Sequence, residues 1–185
     1  MKTYHPKTLT GQTVQLEPIN ETHKAELYKA AQDERIWEYH VSNGMGEQFY
    51  VWFDKALKYF VNREHISFVV RRIVDQRILG STRFYDIQMD HKRLAIGNTW
   101  FTPEVWGSGV NKESKYLLLQ HAFEDLQVNR VEFKVDARNL RSCAAVSKLG
   151  AKEEGVLRQH MIVKNGFIRD SKIFSIIRPE WEEIR

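Results

Sequence analysis

One cysteine, four prolines and ten glycines are all that the 185 residues carry of these types. The lone Cys143 cannot form an internal disulfide, and no second cysteine exists to build a thiolate metal site. So few glycines and prolines exclude collagen-like and low-complexity chains. The seven histidines show no HxH or HExxH spacing, so no metal is expected. Apolar runs are only a few residues long, as in Tyr116-Leu117-Leu118-Leu119, and fall far short of the ~18 residues that cross a membrane. Met1 to Leu9 carries Lys2, His5 and Lys7 with no apolar run behind them, so no secretory signal is expected. A reducing, cytoplasmic compartment is the simplest reading of these absences.

What remains is the composition of one soluble domain. Hydrophobic residues make up 42% of the chain and charged residues 28%, which excludes disorder. The 28 basic side chains exceed the 24 acidic ones by only four. An excess of that size fits a nucleic acid, a membrane surface or a polyanionic small molecule, and composition does not choose among them.

Periodicity gives the elements. Residues 13–19 alternate as a strand, and Asn20 can cap a helix running to about Gln32. An irregular stretch with Trp37, Tyr39 and His40 leads to a loop at 42–46. A second helix, about Glu47 to Asn62, carries an apolar stripe of Phe49, Trp52, Phe53, Ala56, Leu57 and Phe60. Ile66 to Val74, Arg77 to Ile87 and Leu94 to Thr102 read as an antiparallel meander. After a loop at 103–109 a helix runs from Val110–Asn111 to about Leu126. A strand at Val131 to Val135 and a helix at Asn139 to Leu149 follow, with Gly150 as the stop. Glu154 to Val163 and Ile168 to Ile177 pair through an Asn165-Gly166 turn. The charged tail, Arg178 to Arg185, reads as a solvated end. The order is that of one mixed α/β (α+β) domain over residues 1–185, with no linker and no repeat.

The segment from Trp100 to Lys115 is the most informative. A strand end, a loop with Gly107 and Gly109, and a helix start follow one another. Such a helix start presents free N–H groups and partial positive charge, and glycine lets a phosphate approach the backbone. Lys112 adds a cation in the first turn. A P-loop is excluded because no Gly-Lys-Ser/Thr stands at the right spacing. A dinucleotide fingerprint is excluded because its third glycine would fall at Lys112. A tight strand-to-helix turn that needs two glycines gives the same spacing.

Trp106-Gly107-Ser108-Gly109-Val110-Asn111 resembles the pyrophosphate loop of the GNAT acetyltransferase superfamily, in its RimJ/RimL-like branch. Gly109 matches the central glycine. Trp106 stands where that family usually has Arg or Gln, and Asn111 where it has a small residue. Thr99 to Pro103 resembles the family strand that ends at the acetyl group. Asn139-Leu140-Arg141-Ser142 with Lys148-Leu149-Gly150-Ala151 resembles its second cofactor motif, and Glu153 to Arg158 the strand that follows. The likeness runs in order over roughly residues 10–180.

The resemblance implies a mostly antiparallel central sheet with splayed middle strands, flanked by helices. It implies acetyl-CoA as cosubstrate and a primary amine as acceptor, either a protein N-terminus or a small molecule. Its cofactor residues would be Trp100, Phe101, Trp106, Gly107, Ser108, Gly109, Val110, Asn111, Lys112, Asn139 and Ser142. Asn139 would bond the pantetheine amides with both its donors and its acceptor. The usual Tyr general acid falls at Val146, so Ser142 and Glu154 are the implied catalytic pair, with Glu153, Glu104 and Asp136 as competing carboxylates. Ser142 as a helix cap and Glu154 as a solvated strand residue are the plain alternatives. Trp37, Tyr39, Trp52 and the 42–46 loop could line the acceptor cleft. Cys143 and His121 read as structural. An acyl-CoA sensor without catalysis is the rival reading. A nucleic-acid binder has no motif behind it and too small a basic excess. Homodimerisation and the acceptor's identity stay open.

Overall fold

The computed structural model describes residues 6–185, apart from the side chain of Asn165. The reading of Met1 to Leu9 falls partly on residues 1–5, outside the described residues. Strand β1 (Leu9–Thr10) pairs antiparallel with β2 (Val14–Pro18). Asn20 then caps as expected. Its Oδ1 accepts the Thr22 N–H at 2.9 Å, and His23 Nδ1 accepts the Asn20 N–H at 3.2 Å. The resulting 3-10 turn continues into α1 (Lys24–Ala30). Helix α2 (Gln48–Val61) turns Phe49, Trp52, Phe53 and Ala56 inward, the stripe that its spacing demands.

Strands β3 (Ile66–Arg72), β4 (Ile78–Gln88) and β5 (Arg93–Phe101) form the antiparallel meander. Helix α3 (Val110–Gln120) ends in one π-helical turn, His121–Asp125, and returns the chain to β6 (Arg130–Asp136). This crossover lets β6 lie parallel to β5, among the described residues the single parallel pair of the eight-stranded sheet. Helix α4 (Leu140–Ser147), β7 (Lys152–Ile162) and β8 (Ile168–Ile177) complete the order β1-β2-β3-β4-β5-β6-β8-β7. Gly150 stops α4 with φ +93°. Helices cover both faces. One core joins the sheet to α3 and α4 through Phe68, Phe84, Leu118, Phe133 and Val146. The other joins α1, α2 and Trp37 to Val69 and Trp100.

One expectation is corrected. Arg178 to Arg185 is no solvated end: Arg178–Ile184 forms α5, and Trp181 is 1% exposed against the first core. Arg178 anchors it by donating to the carbonyls of Phe123 and Val128 at 3.0 and 2.8 Å. The β7–β8 pair forms as expected, antiparallel and joined through a link that contains Asn165-Gly166. Val163 N–H bonds the Phe167 carbonyl at 2.9 Å, which closes a link over residues 163–167.

Candidate active site

The parallel ladder between β5 and β6 is short. Arg93, Leu94 and Ala95 pair with Arg130, Val131 and Glu132, and beyond them the ladder ends. Each strand keeps its outer neighbour. β5 stays on β4 as far as Phe101 against Gly80, and β6 stays on β8 as far as Asp136 against Ser171. A gap therefore opens between residues 96–101 and 133–136. Asn98, at φ +48°, marks a break in the β4–β5 register at the start of that gap.

The phosphate-loop segment stands at the open end of β5. Gly107 and Gly109 have φ +80° and +93°, and a Cβ on either would meet nothing within 4 Å. The glycines are needed for backbone shape, and the space above them is free. Val110, Asn111 and Lys112 follow in the first turn of α3, where N–H groups have no intrahelical partner. Thr102 Oγ1 and Asn111 Oδ1 are buried there without a partner. Trp106 donates its Nε1–H to the Phe101 carbonyl at 3.0 Å and so ties the loop to the strand end. The Arg141 guanidinium lies 3.7 Å over the Trp106 ring and that of Arg35 5.9 Å from it, which brings two cations to the loop.

Asn139 caps α4, its Oδ1 accepting the Ser142 N–H at 3.0 Å. The cap occupies the acceptor atom, so the amide NH2 is what Asn139 has left to offer a ligand. Ser142 lies half-buried in the first turn of α4, beside the open end of β6. Cys143 is buried with its thiol 3.9 Å from the Asp136 carbonyl, and Val146 is core. Glu154 sits elsewhere. It takes a fork from Arg130 at 2.7 and 2.5 Å and a hydroxyl from Ser175 at 2.8 Å. Arg130 begins β6 and Ser142 follows its end, six residues on at ~3.3 Å each, so the two expected catalytic groups lie at opposite ends of that strand. The Arg130 guanidinium also holds the Glu154 carboxyl down at about 2, which leaves it little basicity. The competing carboxylates are paired as well: Glu104 with Arg77, Glu153 with Lys172, and Asp136 with Arg138.

The face of the gap under α1 and α2 holds residues that sequence reasoning missed. His40 Nε2 bonds the Thr99 carbonyl at 3.1 Å, so that nitrogen carries the proton. Burial, and then the nearby cations Arg83, Lys164 and Arg169, push His40 down to about 4, so the ring is neutral at pH 7. Trp37, Trp52 and Trp100 pack ring against ring beside it, with centroids 5.5–6.1 Å apart. On the opposite face Lys115 of α3, 5% exposed, donates to Thr99 Oγ1 at 2.5 Å and Thr82 Oγ1 at 3.4 Å. Burial lowers Lys115 to about 7.

The sequence matches the acetyltransferase (GNAT) domain family over residues 13–152. The chain belongs to the GNAT acetyltransferase family. The N-acetyltransferase YoaA of Bacillus subtilis (strain 168) is 28% identical over 120 residues, which span 65% of this chain and 67% of that one. YdaF of the same organism, named as a candidate ribosomal N-acetyltransferase, is 29% identical over 110 residues, 60% of this chain and 59% of its own. The crystal structure of a GCN5-related N-acetyltransferase from Brucella melitensis superposes with a TM-score of 0.90 at 27% identity, covering 98% of this chain and 83% of that one. A spermidine N-acetyltransferase from Vibrio cholerae, in complex with CoA and spermine, shares the fold with a TM-score of 0.78 at 17% identity, covering 92% of this chain and 98% of that one.

In this GNAT chain the gap gathers Trp100, Phe101, the 106–112 loop, Asn139 and Ser142 at one end. It does not gather Glu154. His40, Arg83 and Arg169 were missed because each reads locally as an ordinary loop or strand residue; only the sheet order brings them together.

Proposed function

We propose that the protein moves an acetyl group from acetyl-CoA to a primary amine by direct attack of the neutral amine on the thioester. The observation that carries this reading is the meeting of the β5–β6 gap with the open glycine loop at the start of α3. The anionic cofactor would be held by the backbone of residues 107–112 together with Lys112, by the strand backbone at Trp100 and Phe101, and by the Asn139 amide. Arg141, stacked on Trp106, supplies the cation that the motif lacks at position 106. Bound acetyl-CoA supplies the activated acyl group; the protein orients the amine and excludes water.

The carboxylates named above are all ion-paired, so none is a strong base. This favours an acceptor that is already partly neutral. An α-amine, with a pKa of about 7.7–8.0, qualifies far better than a lysine at about 10.4. Ser142 would hydrogen-bond the departing thiolate and relay to it the proton that the attacking amine gives up, and Glu154 would act at most from a distance. A cytoplasmic setting, where acetyl-CoA is available, suits the reading.

Calorimetry with acetyl-CoA and thiol release across an amine panel test it together. Binding and release support transfer, and no binding sinks the reading. Val146, buried at the usual Tyr position, favours one rival: an acyl-CoA sensor. Binding without release from any acceptor would select that rival.

A further inference from the structure

The acceptor side of the gap holds buried positive charge that the protein cancels only in part: Arg83 has no carboxylate partner, and Arg169 shares one at 4.0 Å. Arg83 on β4 is 5% exposed, and among the described residues no carboxylate comes within ion-pair distance of it. Its Nη1 reaches only His65 Nδ1, at 3.4 Å, and its Nε is buried without a partner. The guanidinium packs 5.8 Å from the Trp52 ring centre. Arg169 on β8 is also 5% exposed. It spends its donors on neutral oxygens, Ser171 Oγ at 2.9 Å and the Lys134 carbonyl at 3.3 Å. Its nearest carboxylate, Asp136 at 4.0 Å, is already forked by Arg138 at 2.7 Å. Lys164 donates to the Trp37 carbonyl, again a neutral group. All three cations stand close enough to His40 to lower its basicity, and His40 is bonded to Thr99 at the gap. Arg83 pairs across the ladder with Gly97, beside the Asn98 break.

Burying a guanidinium without a counter-ion costs several kcal/mol, and a fold keeps such a group where a ligand supplies the missing charge. The fork of Arg matches a carboxylate or a phosphate. The same cations repel an acceptor that carries extra positive charge.

We propose that the acceptor is an amine bearing an oxyanion, a carboxylate or a phosphate, which docks against Arg83 and Arg169 and sets the amine beside Thr99 at the gap. Free amino acids are the simplest such molecules; polyamines are excluded. This rests on the acetyltransferase reading above.

The test uses the whole chain with acetyl-CoA. Thiol release is measured for common amino acids against their carboxamides, and for phosphoethanolamine against ethanolamine, with spermidine as the cationic control. The expected result is at least one anionic member exceeding its neutral counterpart tenfold or more in kcat/KM, and the pair in which this occurs separates carboxylate from phosphate. Arg83→Met and Arg169→Met should each bring that ratio towards one with acetyl-CoA affinity retained in calorimetry. Arg83→Lys, which keeps the charge and loses the fork, should retain part of the preference if the Met variant does not fold. The proposal is overturned if spermidine or the neutral members react as well as the anionic ones. It is equally overturned if acetyl-CoA binds and no anionic member leads, whether both members of a pair react or neither does. Absence of acetyl-CoA binding would overturn the transferase reading itself, which is a separate result.

Discussion

With φ +93° and open space above its Cα, Gly109 tests the cofactor assignment at one position. Aspartate tolerates such a φ better than most residues, and it places a negative charge where a pyrophosphate would lie. Gly109→Asp should therefore weaken acetyl-CoA binding tenfold or more, about 1.4 kcal/mol, beyond a modest loss of melting temperature from the positive φ. Unchanged affinity in calorimetry would count against the loop as the phosphate site. Arg141→Ala asks a neighbouring question. The side chain is exposed and touches the loop through the Trp106 ring, so its loss should lower acetyl-CoA affinity several-fold and leave stability within about 0.5 kcal/mol. If affinity holds, the Arg141 stack is a surface contact only.

At the scale of elements, α5 is held by one side chain above all. Trp181 stacks on Phe123 at 5.7 Å and lies against Tyr116 at 5.2 Å. Trp181→Ala should cost about 3–5 kcal/mol in chemical denaturation, as large aromatic truncations in a core do. A solvated tail would lose almost nothing. The sequence hides this helix because Arg-Pro-Glu-Trp-Glu-Glu-Ile offers only two apolar residues three apart, and charge dominates its composition. Caps and turns were easier. Asn20, Gly107, Gly109 and Gly150 act within a few residues of themselves, so their roles are written locally. The α2 stripe was legible for the same reason. Glu154 misled because its partner is 24 residues away across β8, a distance that only the β6-β8-β7 order makes short. Nothing local to Lys115 says that it points at Thr82 and Thr99.

For the whole molecule, the buried bases give stability a definite pH dependence. His40 and His65 are both held at about 4, chiefly by burial, against about 6.5 when unfolded. Between those values the unfolded chain binds more protons, so stability falls as pH drops from about 6.5 towards 4. Lys115 has the same sign in a higher window. Its folded value of about 7 lies below the unfolded ~10.4, so stability should keep rising from neutral to mildly alkaline pH. One uncompensated proton gives a slope of at most about 1.4 kcal/mol per pH unit. Urea titrations at pH 7 and pH 9 should show the rise in the parent and its loss in Lys115→Met. A flat parent profile would mean that the lysine finds a counter-charge in solution.

The short parallel ladder has a mechanical meaning as well. β1 to β5 and β6 to β8 are two half-sheets stitched by three residue pairs, Arg93 to Ala95 against Arg130 to Glu132. A chain of amides lying in the gap would act as a ninth strand that only the ligand can provide. The half-sheets should then breathe against each other when the gap is empty and lock when it is filled. Amide hydrogen exchange along 96–101 and 133–136 would slow on adding acetyl-CoA, while that of β2 and β3 would hold its pace.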